Sequence, residues 1–124
     1  MRWLVDGMNV VGSRPDGWWR DRRSAIVALA EELSTWAAAT GEQVTVVFDG
    51  RPFDVPAREA VVLFASGRGR NAADDEIVQM VEGDAEPASL RVVTSDRELA
   101  RRVRERGAQV MTAGSFRRSL ARWA

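Results

Sequence analysis

The sequence predicts an α/β domain built on a mostly parallel central sheet of about five strands, layered between flanking helices. Short, continuously apolar runs such as Val44-Thr45-Val46-Val47-Phe48 suit strands buried on both faces. Segments of helical periodicity lie between these runs, and a strand–helix–strand alternation favours parallel pairing. At 124 residues, with 45% hydrophobic and 29% charged residues, the chain fits one domain spanning 1–124.

The elements follow in order. Trp3-Leu4-Val5 reads as strand one and ends at Asp6. A turn-rich stretch follows, Gly12-Ser13-Arg14-Pro15-Asp16-Gly17. Ile26, Leu29, Ala30, Leu33, Trp36 and Ala37 recur at helical spacing, with Asp21 as N-cap and Gly41 as stop. Strand two, Val44 to Phe48, ends at Asp49-Gly50. Pro52 and Pro56 mark a loop, and Ala60 to Phe64 is the third apolar run. Asn71 is placed to cap a helix carrying Ala73, Ile77, Met80 and Val81 on one face. Leu90 to Thr94 is strand four, followed by Ser95-Asp96 and a helix with Leu99, Ala100 and Val103 inward. Gln109 to Thr112 is strand five, and a last helix carries Phe116, Leu120 and Trp123. The link between strands two and three is short for a parallel crossover. Either it is a stripped-down loop or that edge pairs differently.

Composition excludes several chemistries. There is no Cys, His or Tyr, and all 18 basic residues are arginine. The chain therefore has no thiolate, no imidazole base and no lysine for a Schiff base or a Walker-type phosphate loop. Carboxylates remain, and they suit hard cations such as Mg²⁺ and Mn²⁺. No apolar run approaches the roughly 20 residues of a membrane span. The early carboxylate at Asp6 argues against a signal peptide, so a cytoplasmic location is expected. The net charge is zero, so contact with nucleic acid needs local segregation of charge.

Three strand ends carry an aspartate: Asp6, Asp49 and Asp96. In open α/β sheets, ligands bind beyond the carboxyl ends of the strands. Asp74, in the first turn of the third helix, adds a fourth carboxylate. Acids packed so closely repel unless some protonate or a cation joins them. Each also has a structural explanation. Asp49-Gly50 is a common turn pair, and Asp74 and Asp96 sit where acids favour a helix N-terminus. Ser95 and Glu98 form a capping-box pattern that assigns the cap to Ser95. Asn9 suits a turn, or the orientation of a phosphate or metal-bound water.

Arg14, Arg20, Arg22 and Arg23 are interleaved with Trp18 and Trp19, while Arg51, Arg68 and Arg70 fall in loops after strands two and three. Arginine beside aromatic rings suits single-stranded RNA, with Arg14, Arg20, Arg51, Arg68, Arg70 and Trp18 as candidate contacts. One tryptophan of the pair is expected to pack under the first helix instead. The arginines from Arg97 to Arg106 suit a solvated helix face.

Asp6-Gly7-Met8-Asn9, Val47-Phe48-Asp49-Gly50, Ala73-Asp74-Asp75-Glu76-Ile77 and Thr94-Ser95-Asp96 occur in that order. Together they resemble the YacP-like members of the NYN branch of the PIN-like nucleases, over essentially the whole chain. The resemblance implies a PIN-like three-layer fold and Mg²⁺- or Mn²⁺-dependent endoribonuclease activity. It implies that Asp6, Asp49, Asp74 and Asp96 form the acidic metal site and that Asn9 is its polar partner. It also links the chain with RNA processing or decay, in one family case at the ribosome. Met8 stands where the family often has tyrosine, and the second-to-third strand link is shorter than usual. Rival expectations are an RNA- or ribosome-binding module without catalysis, a phosphohydrolase acting on a small molecule, and a toxin masked by a partner.

Overall fold

The computed structural model describes residues 1–14, 16–67, 69 and 71–122. Its elements are β1 (Arg2–Asp6), α1 (Gly7–Gly12), α2 (Arg22–Thr40), β2 (Gln43–Phe48), β3 (Val61–Phe64), α3 (Ala72–Glu82), β4 (Leu90–Val93), α4 (Arg97–Glu105), β5 (Gln109–Met111) and α5 (Ala113–Ala121). Short 3-10 turns at Trp18–Arg20 and Pro87–Ser89 precede α2 and β4. The strands form one five-stranded sheet, ordered β3-β2-β1-β4-β5, and every pairing is parallel.

The period-2 alternation of the strands sorts the core into two layers. Trp3, Val5, Val44, Val46, Phe48 and Val93 face α1, α2 and α5. Leu4, Val47, Leu90 and Val92 face α3 and α4. On the first face the Trp3, Trp36 and Phe116 rings lie 5.2–5.5 Å apart, two of the three contacts edge to face. Among the described residues no helix is long and apolar enough to cross a membrane.

Two features differ from the sequence expectations. The stretch after Asp6 is helical: α1 runs from Gly7 to Gly12, an element the sequence pattern does not mark, and the turn-rich segment follows it. Glycine at its start permits a close approach that no other residue allows. A Cβ on Gly7 would lie 2.4 Å from the Phe48 ring. The second feature settles the β2–β3 alternative. Residues 49–60 cross over without a helix, and β3 still pairs parallel to β2. Side chains of α2 hold this loop in place of a helix. The Ser34 hydroxyl accepts from the backbone N–H of both Arg58 and Ala60 at 3.3 Å. The Arg23 guanidinium lies 4.8 Å from the Phe53 ring centre, and Phe53 packs on Phe64. With no helix over the edge strand, Val61 and Leu63 stay exposed.

Asp21 caps α2 as expected, accepting from the Ser24 N–H, and Gly41 ends it at a positive φ of 74°. Trp123 lies outside the described residues, as do Arg68 and Arg70.

Candidate metal centre at the carboxyl edge of the sheet

The strand register brings the acidic residues together. β1 is the central strand, with β2 on one side and β4 on the other. Asp6 pairs with Val47, which sets Asp49 two positions further along β2's path. Val5 pairs with Val93, so Asp6 is level with Thr94, and Asp96 stands two positions further. By strand alternation Asp6 shares the face of Leu4, toward α3 and α4.

Asp6 is buried, with only 5% of its surface exposed. Its Oδ2 accepts from the Thr94 hydroxyl at 2.8 Å. The same hydroxyl oxygen accepts from the Asp96 backbone N–H at 3.1 Å. Burial pushes the Asp6 carboxyl up to about 7, against the pull of the Thr94 hydroxyl. The charges of Asp74, Asp49 and Asp96 push it the same way. Burial likewise raises Asp74 to about 6, helped by Asp96 and Asp49 and opposed by Arg102. Asp6 thus feels the charges of the other three acids, and Asp74 those of Asp96 and Asp49.

Asp49 and Asp96 each spend one oxygen on a helix start. Asp49 Oδ1 accepts from the Ala73 N–H at 2.8 Å, which ties β2 to the first turn of α3. That bond replaces the cap expected from Asn71, whose side chain makes no capping bond. Because Asp74 follows Ala73, the same bond brings its carboxylate to the edge. Asp96 Oδ1 accepts from the Leu99 N–H at 3.0 Å and is the N-cap of α4. The capping role therefore belongs to Asp96 and not to Ser95. The Ser95 hydroxyl instead accepts from the Ala113 N–H at the start of α5. Asn9, on α1, accepts the Ser95 N–H through Oδ1 at 2.8 Å. Its amide N–H₂ keeps its donor capacity. Thr94 is the site residue that sequence inspection missed. Its register opposite Asp6 becomes visible only once β1 and β4 are paired.

Among the described residues no three carboxylates are gathered into a ready-made metal cage. The donor set nonetheless suits a hydrated cation. All four candidate ligands are hard oxygens, and Mg²⁺ usually keeps several waters while using one or two carboxylates. Two raised acids in one group are also what a cation would relieve.

The candidate RNA contacts divide. Trp18 is half-buried against the first-face core, beside Val11, Ala25 and Leu29, whereas Trp19 is 62% exposed. Arg14 pairs with Glu32 at 2.6 Å. Arg20 lies over the Trp19 ring at 5.9 Å, and Arg51 is exposed just past Asp49-Gly50. Arg22 donates to the Asp49 carbonyl and lies against Gly50, whose φ of 99° places it in the left-handed region. On and just past α4, three arginines pair with neighbouring acids: Arg101 with Glu98 and Glu105, Arg102 with Asp75, and Arg106 with Glu82.

Two solved structures share the architecture. The chain is similar to a tryptophan-to-leucine mutant of Rae1 (YacP) from Bacillus subtilis, with a TM-score of 0.82 and 23% identity. That match covers 98% of this chain and 75% of the Rae1 chain. It is similar also to Rae1 (YacP) without that mutation, with a TM-score of 0.77, 23% identity, and coverage of 98% and 74%. No curated protein matches the sequence. The family model described as the YacP-like NYN domain matches residues 3–124. The chain belongs to the YacP-like NYN domain family, a PIN-like, nuclease-type domain.

Proposed function

We propose that this protein is a metal-dependent endoribonuclease that hydrolyses phosphodiester bonds of single-stranded RNA. The observation that carries the proposal is buried Asp6 at the end of the central strand, with Asp49, Asp74 and Asp96 close enough for their charges to raise its pKa. Asp6, Asp49, Asp74 and Asp96 would hold Mg²⁺ or Mn²⁺. A cation bound there lowers the pKa of its water and neutralises charge growing on the phosphate.

The chain's own groups do the rest. Thr94 fixes the Asp6 carboxylate through one oxygen, leaving the other to coordinate. Asp49 and Asp96 are held by helix N–H groups and keep their second oxygens for the cation. The N-termini of α3 and α4, which these two acids cap, add partial positive charge at the edge. Asn9 is anchored through its oxygen and offers an N–H to a phosphate or a water. Arg20 and Arg51 supply the positive charge that the overall balance lacks.

The test is cleavage of a long, mixed-sequence single-stranded RNA with Mn²⁺, alongside an EDTA control and the Asp6→Asn variant. Cutting that disappears in both controls supports the proposal. Cutting that survives Asp6→Asn refutes the site. If naked RNA is untouched, the same lanes are repeated with RNA on ribosomes. Binding there without any cut would favour a non-catalytic module.

A further inference from the structure

Trp19 has the highest exposure of the large apolar side chains among the described residues, at 62%. Its position is held from both sides. The Trp18 ring meets it edge to face at 6.2 Å and is itself wedged against the core. The backbone closes a 3-10 turn, with Arg20 N–H on Gly17 O at 3.0 Å and Asp21 N–H on Trp18 O at 3.2 Å. Asp21 then caps α2. An exposed indole on a fixed backbone presents a flat π-face to solvent without losing much freedom on contact.

The turn is also tied to the carboxylate edge. Arg22, three residues on, donates to the Asp49 carbonyl. Three arginines along this stretch carry no acid partner. Among the described residues Arg20, Arg22 and Arg51 form no ion pair, whereas Arg2, Arg101, Arg102 and Arg106 each pair with an acid elsewhere. Arg20 lies over the exposed ring itself, 5.9 Å from its centre.

We propose that Trp19 stacks an unpaired base of the RNA strand, with Arg20, Arg22 and Arg51 drawing the flanking phosphates. This makes Trp19 a selector for single-stranded over duplex RNA, since a paired base cannot present its face. The assignment rests on the RNA-cleaving function above and deepens it.

The experiment is anisotropy of a labelled, unstructured RNA oligonucleotide. It is run with wild-type protein in EDTA and with Asp6→Asn in Mg²⁺, so that nothing is cut. In both settings Trp19→Ala should weaken binding roughly 5- to 150-fold, the range for one base–aromatic stack. Trp19→Phe should recover most of that loss. Affinity for a fully paired RNA duplex should be the same with Trp19 or Ala. Equal affinity of wild type and Trp19→Ala for the single strand overturns the proposal. So does an equal loss on duplex, and so does failure of the wild type to bind the single strand. Cleavage is scored separately in Mn²⁺. Trp19-dependent binding without cutting keeps the platform and removes the nuclease, and cutting with Trp19-independent binding does the reverse.

Discussion

Thr94, directly after β4, donates its hydroxyl to Asp6 on β1 at 2.8 Å, and the same oxygen accepts the backbone N–H of Asp96. One side chain therefore sets the position of two acids, one on β1 and one at the start of α4. Thr94→Val keeps the shape and removes both bonds. The expected cost is about 1–3 kcal/mol, measured by urea unfolding in EDTA. The Thr94 hydroxyl lowers the Asp6 pKa, so its loss raises it. The acid limb of the cleavage profile should then move to higher pH. An unmoved limb would separate Thr94 from the titration of Asp6.

Asp6→Asn should gain stability while losing activity. In metal-free protein the Asp6 carboxyl is raised to about 7 from an ordinary 3.8. Below 3.8 both folded and unfolded chains are protonated and nothing is lost. Between 3.8 and 7 the unfolded chain gives up its proton and the folded chain does not. The folded state thus loses as much as roughly 4 kcal/mol by the top of that window. Asp74, raised to about 6, shares part of the window. Asparagine does not titrate and can still accept from Thr94. In EDTA the variant and wild type should melt together near pH ~4, and the variant should melt higher near pH ~8. Added Mn²⁺ should raise only the wild type. Matching melts at both pH values would show that Asp6 is not held in a raised state.

Asp49 separates charge from capping. Asp49→Asn keeps an oxygen for the Ala73 N–H but removes the negative charge. Asp49→Ala removes both. Both variants should lose cleavage, and only Asp49→Ala should lose stability, by about 1 kcal/mol. Equal stability of the two in thermal melts would mean that the bond to α3 contributes nothing.

Gly7→Ala tests the packing beneath the site. The new methyl would meet the Phe48 ring at 2.4 Å, with Val46 close behind at 3.0 Å. Both partners are fully buried, so the clash cannot relax into solvent. A loss of about 1–3 kcal/mol is expected, together with weaker Mn²⁺ stabilisation because Asp6 is next in sequence. An unchanged melting temperature would show that the sheet edge yields easily.

Strand positions and the acids at their ends were legible in the sequence because both are local signals. A buried parallel strand is a short apolar run, and an aspartate after it is visible in the same window. The residues that join elements were not legible. Ser95 beside Glu98 has the pattern of a cap, yet Asp96 takes the Leu99 N–H and Ser95 serves α5. Asn71 stands at the right place for α3, yet the cap comes from Asp49, distant in sequence. α1 is not marked in the sequence, because it is short and its burial of Val10 and Val11 depends on partners far along the chain. Trp18 and Trp19 are identical by type, and only the packed turn shows which ring is buried and which faces solvent.

The parallel sheet also has a consequence for how the chain acquires its shape. Among the described residues no two strands form a hairpin, so every pairing must first close a crossover, from the short link of residues 49–60 to the long separation of β1 and β4. β1 waits for β2 and then for β4, and Thr94, directly after β4, lies 88 residues beyond its partner Asp6. Contacts of such sequence separation slow folding and make it cooperative. The acidic edge therefore appears only when the sheet closes. A fragment lacking β4 would retain Asp6, Asp49 and Asp74 but lose Asp96 and the Thr94 hydroxyl that fixes the Asp6 carboxylate.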